Sequence, residues 1–154
     1  MLHRILLTVH SGLRWVVLAM ILVVLVSAIR GWRSGAEMQK RDRGLKSAAV
    51  GLADLQLLLG LVLYATGPWI QTFQEGMGHV MRTTQLRFFV VEHVFGMVTA
   101  IVVLHVSSVL SKRAAEPKAQ HKRLAIGFGV ALLIIFASVP WPFMPYGRPL
   151  IRFG

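Results

Sequence analysis

The chain has 154 residues, is 55% hydrophobic and only 15% charged, and its mean hydropathy is +0.64, which excludes a water-soluble globular domain and indicates an integral membrane protein. The absence of cysteine excludes disulfides, thiolate metal sites, iron–sulfur clusters and covalently attached c-type haem. The formal charge of +11 sits in short loops between apolar runs, where it reflects topology and lipid headgroups and not nucleic acid.

The first apolar span runs over about 5–29. It is too long for the core of a signal peptide and has no convincing small-residue cleavage site, so it reads as a retained helix. Arg30, Arg33, Lys40, Arg41, Arg43 and Lys46 follow in or beside the first loop. Span two covers about 45–66 and closes on Gly67-Pro68-Trp69, a helix stop joined to an interfacial aromatic. The second loop carries Glu75, His79 and Arg82. Span three covers about 86–111, and a basic loop with Lys112, Arg113, Lys118, Lys122 and Arg123 leads to span four at about 124–139, ended by Pro140-Trp141-Pro142-Phe143.

Lys and Arg concentrate in loops one and three, so the positive-inside rule assigns those loops to the cytoplasm and both termini to the outside. The expectation is all-α: a single membrane domain over 1–154, an up-down four-helix bundle with both termini periplasmic, in a bacterial inner membrane. Gly51, Gly60, Gly96, Gly127 and Gly129 lie inside the spans, where small residues let helices approach closely.

Ionisable residues inside a span are costly and mark the sites to explain. His10 enters span one from the outer side and His93 enters span three from the same side, at nearly matched depth. Two imidazoles on different helices at one level suit the axial positions of a b-type haem. A single histidine could instead ligate the magnesium of a chlorophyll-type pigment, and a purely structural pair with no cofactor also fits the spacing. Arg14, one turn beyond His10, and Arg87, near the outer interface, could hold haem propionates through charge-assisted hydrogen bonds. An Arg14–Glu92 ion pair is the structural alternative. His105 lies twelve residues past His93, about 18 Å deeper, and shares the inner half of the bilayer with Asp54. That inner pair could relay protons or satisfy two polar groups; the second reading is preferred. Gln56 points to another face and suits an interhelical hydrogen bond. His3, His79 and His121 are expected at solvated ends or loops.

The segments His10-Ser11-Gly12-Leu13-Arg14-Trp15, Leu55-Gln56-Leu57-Leu58-Leu59-Gly60, Arg87 to His93 (RFFVVEH) and Pro140 to Phe143 (PWPF) resemble a family of small bacterial four-helix membrane proteins described as cytochrome b-like. The resemblance implies haem b and membrane electron transfer. Where such relatives carry a histidine this chain has Asp54, which removes a ligand opposite His105 and argues against a second, inner haem.

Two functions follow. One is a membrane cytochrome with haem near the periplasmic face, passing electrons between a quinol or quinone-linked enzyme and an outer acceptor. The other is a non-catalytic, lipid- or pigment-binding subunit of a larger respiratory or photosynthetic complex. Either makes the chain an electron carrier or complex subunit and not a stand-alone enzyme. Membrane lipids and other membrane subunits are the expected partners. A proton pathway through Asp54, His105, Glu92 and Arg14 is a weaker third reading, since no inverted repeat is visible.

Overall fold

The computed structural model describes residues 1–151. Its long helices are α1 (Leu2–Ser34), α2 (Lys40–Thr66), α6 (His93–Lys112) and α7 (Pro117–Ser138). Between α2 and α6 lie the short helices α3 (Trp69–Gln74), α4 (Met77–Arg82) and α5 (Thr84–Arg87), then a π-helical turn over Phe88–Glu92 that runs directly into α6. Thr84–Lys112 is therefore one continuous span. It and the other three long helices are long and apolar enough to cross a membrane.

The helices outrun the apolar spans because their polar flanks also favour helix. At about 1.5 Å per residue, α1 with its 33 residues is about 50 Å long, against roughly 30 Å for a hydrocarbon core. Its basic end therefore extends into the interfacial region. Gly35 stops α1 with φ +69°, a left-handed turn whose N–H bonds the carbonyl of Gly31. Five residues later α2 starts, where the Asp42 carboxylate accepts the Gln39 N–H at 3.1 Å. Pro117 occupies the first turn of α7, where its missing N–H costs nothing. The loop basic residues counted from sequence thus belong largely to helix ends, and Lys46 is buried on α2.

The outward surface is apolar: Leu58, Phe95, Leu133 and Phe136 are each more than half exposed. Water would penalise such a surface, whereas lipid tails match it. Inside, Ile21, Ala49, Ala100, Leu104, Phe128 and Ala131 are fully enclosed. The α6–α7 contact is the most extensive, followed by α1–α7 and α1–α2, while α2 and α6 meet along a short seam only. Small residues set the closest approaches. A Cβ on Gly96 would lie 2.0 Å from Ser138 Oγ, and one on Gly127 would lie 2.1 Å from Ser107 Cβ. Gly51, by contrast, faces open space.

Candidate functional site

The loose α2–α6 seam has a cause: a cavity of about 200 Å³ lies between the helices at this level. All four motifs singled out in the sequence reach it. His10, Ser11 and Arg14 come from α1, Gln56 and Gly60 from α2, Phe89 and His93 from the π turn and α6, and Pro140 from the segment after α7. Most of the remaining wall is aliphatic, with Leu57, Val94, Met97 and Ile135 among it.

His93 owes its direction to local backbone geometry. Its N–H bonds the carbonyl of Phe88, five residues back, so the π turn accommodates one residue more than an α-turn would. One residue is about 100° of rotation. The turn therefore resets the face that His93 presents relative to Leu86 and Arg87. The same turn leaves the Val90 carbonyl to accept the Tyr64 hydroxyl of α2 at 3.3 Å. Next to it, the Gly96–Ser138 approach brings α7 close enough for the Ser138 carbonyl to lie 2.7 Å from His93 Nδ1. A carbonyl only accepts, so Nδ1 carries the hydrogen and Nε2 of the neutral ring keeps its lone pair.

His10 is held differently. Its ring lies against Gly60, where a Cβ would come within 3.1 Å of Cε1. Its own carbonyl accepts from Gln56 Nε2 at 2.9 Å, the interhelical bond expected of Gln56. His10 Nδ1, Arg14 Nε and Gln56 Oε1 are buried without a partner among the described residues. Buried polar groups are nearly always satisfied, so three orphans around one cavity indicate a place prepared for something polar.

Arg14 lines this cavity and its guanidinium donates to the Leu150 carbonyl, which also accepts Trp15 Nε1 at 3.0 Å. The tail after α7 thus folds back over the cavity. Tyr146 stacks on Phe88 at 3.8 Å, Trp141 meets Trp15 edge-on at 6.3 Å, and Arg148, itself in the cavity wall, lies 5.0 Å over Phe89. Trp141 Nε1 also donates to the Phe136 carbonyl at 2.7 Å, satisfying one of the last acceptors of α7.

The structure brings His10, His93 and Arg14 together and leaves Arg87 outside the cavity wall. Arg87 pairs with Glu92 at 2.7 Å, so Glu92 is not the partner of Arg14, as the sequence alternative had it. Asp54 and His105 do meet, His105 Nε2 donating to Asp54 Oδ1 at 2.8 Å. They lie outward of the cavity, with side chains 41% and 51% exposed. His3 and His79 are exposed as expected, but His121 is buried, 2% exposed on α7, because Gly31 on α1 leaves room for its ring. Tyr64 and Arg148 also line the site without having been singled out, and Trp69, expected only as an interfacial anchor, lines it too. Trp69 and Arg148 lie outside the apolar spans, where counting depth along a helix gives no information.

Compared with known protein families, with curated proteins and with solved structures, the chain matches none. Among the described residues no cluster of three or more histidine, cysteine or acidic side chains is arranged to hold a bare metal ion. What the site offers is two imidazoles, two guanidiniums and an apolar enclosure. Such a set suits a group that brings its own metal and presents acidic substituents.

Proposed function

We propose that the protein is a membrane-bound, b-type cytochrome-like electron carrier holding one haem b near the periplasmic face of a bacterial inner membrane. In this reading it is an up-down four-helix bundle with both termini on the outer side. The observation that carries the proposal is that His10 and His93, from different helices, line one cavity while the His93 Nδ1–H is committed to Ser138. That bond fixes the ring and leaves Nε2 free to ligate, the usual arrangement behind a metal-binding histidine.

The residues fit a haem by their chemistry. His10 and His93 would hold the haem iron, and Arg14 with Arg148 would supply cationic donors for its propionates. Gly60 leaves the space that the His10 ring occupies. The aliphatic walls exclude water and keep the local dielectric low. At about 200 Å³ the cavity is below the roughly 300–1,000 Å³ of small-molecule sites. A macrocycle therefore needs the α2–α6 seam to part, and that seam is short. Haem, when bound, supplies one-electron redox chemistry. Electrons would pass from a quinol or quinone-linked enzyme to an outer acceptor. The test is an absorption spectrum and a pyridine haemochrome assay on protein made with ample haem. One haem per chain, lost in both His10→Ala and His93→Ala, is the expected result. A colourless wild-type protein would overturn the proposal, and a chlorin spectrum would replace haem with a chlorophyll-type pigment.

A second reading, a subunit of a larger respiratory or photosynthetic assembly, is favoured by the Asp54–His105 pair. The pair faces outward at 41% and 51% exposure from the middle stretches of two apolar helices. Ionisable side chains facing lipid are costly, and a neighbouring subunit would cover them. Stoichiometric co-purification in mild detergent, abolished by Asp54→Leu with His105→Leu, would establish this reading.

A further inference from the structure

A second cavity, of about 590 Å³, lies at the opposite end of α1, where α1 ends and α2 begins. Its wall is graded along α1. Leu22, Val23 and Val26 form an apolar stretch and are exposed on the helix surface. Arg30 lies one to two turns beyond, about 6–12 Å along the axis. Arg41 and Glu37 complete the polar end. Among the described residues none of these three makes an ion pair, even with one another. Asp42 also borders the cavity, but both its oxygens are occupied, by Ser27 Oγ at 2.7 Å and by the Gln39 N–H.

At the back of this cavity stands His121. It is 2% exposed, and among the described residues neither ring nitrogen has a partner. Its ring lies so close on Gly31 that a Cβ there would fall within 2.4 Å. A buried imidazole with nothing to bond is costly, and a ligand oxygen in the cavity would remove that cost.

We propose that this cavity binds a phospholipid whose headgroup carries both a phosphate and a primary ammonium. The uncommitted charges are two guanidiniums and one carboxylate, which match those two groups in number and sign. The guanidiniums take the phosphate oxygens, Glu37 takes the ammonium, and His121 donates to a phosphate or ester oxygen. Leu22, Val23 and Val26 lie along the first part of an acyl chain. An anionic lipid without an amine leaves Glu37 opposing it. A choline lipid has no N–H to give Glu37. Free phosphoethanolamine shares the headgroup chemistry but gains nothing from the apolar wall. The inference rests on the helices spanning a bilayer and is independent of any haem.

Native mass spectrometry on the full chain in detergent tests it, with phosphatidylethanolamine, phosphatidylcholine and phosphatidylglycerol of identical acyl chains. The ethanolamine lipid is expected to be retained over the other two. Arg30→Gln with Arg41→Gln should weaken it about thirtyfold, and Glu37→Gln should bring it to the level of the choline lipid. His121→Phe keeps the ring on Gly31 while removing its nitrogens, for a loss of about fivefold. Arg30, Arg41 and Glu37 are exposed, so these variants are expected to keep the wild-type circular dichroism. Equal retention of ethanolamine and choline lipids, or wild-type retention in both the arginine and Glu37 variants, would overturn the proposal. Displacement by millimolar free phosphoethanolamine would overturn the lipid source and assign the site to a soluble ligand.

Discussion

Gly96→Ala is the most direct test of how the first cavity is built. The added methyl would stand 2.0 Å from Ser138 Oγ and 2.9 Å from Ser138 Cβ, so α6 and α7 must separate or Ser138 must move. Overpacking of this kind costs about 1–3 kcal/mol. The same displacement stretches the 2.7 Å bond from His93 Nδ1 to the Ser138 carbonyl, adding about 1 kcal/mol. Against this, alanine gains roughly 0.5–1 kcal/mol of helix propensity. A net loss of about 1–3.5 kcal/mol is expected. Gly51→Ala is the control: nothing lies within 4 Å of its Cβ position, so it should be neutral or slightly stabilising. Adding Ser138→Ala to Gly96→Ala removes the closest atom and should recover about half the loss. Thermal unfolding in one detergent, followed by circular dichroism, measures all four proteins. A Gly96→Ala protein as stable as Gly51→Ala would refute the argument that this approach sets the helix spacing.

Other substitutions probe neighbouring parts. Gly60→Val should push the His10 ring from its seat, where even one methyl would lie 3.1 Å from Cε1; bound haem per chain, by haemochrome assay, should fall well below wild type with the helical spectrum intact. Arg87→Gln should change stability by less than about 1 kcal/mol and leave haem content unchanged, since its pair with Glu92 is partly exposed. A large drop in haem content there would restore Arg87 to the site. Tyr64→Phe removes the 3.3 Å bond to the Val90 carbonyl and should lower unfolding stability by about 0.5–1.5 kcal/mol.

The number and order of the spans are legible in the sequence because apolar runs of this length leave few alternatives. Depth counting also brings His10 and His93 to nearly one level, with Arg14 one turn beyond, and the structure lines one cavity with all three. Counting works because α-helical rise is constant. It fails for azimuth. The π turn at Phe88–Glu92 has no composition that announces it, yet it decides where Arg87 and His93 face. Burial of His121 was equally hidden, since it depends on Gly31 of a helix ninety positions earlier in the chain. The tail is the third case: nothing in Tyr146 to Leu150 suggests that it returns to Phe88, Arg14 and Trp15.

That returning tail also sets an order of events during synthesis. Pro140, Arg148 and Pro149 belong to the wall of the first cavity, yet they leave the ribosome after the four described spans. Until then Arg14 and Trp15 lack the Leu150 carbonyl, and the cavity stands open on that side. A ligand that entered on that side before residues 140–150 fold back would be enclosed once Leu150 meets Arg14 and Trp15.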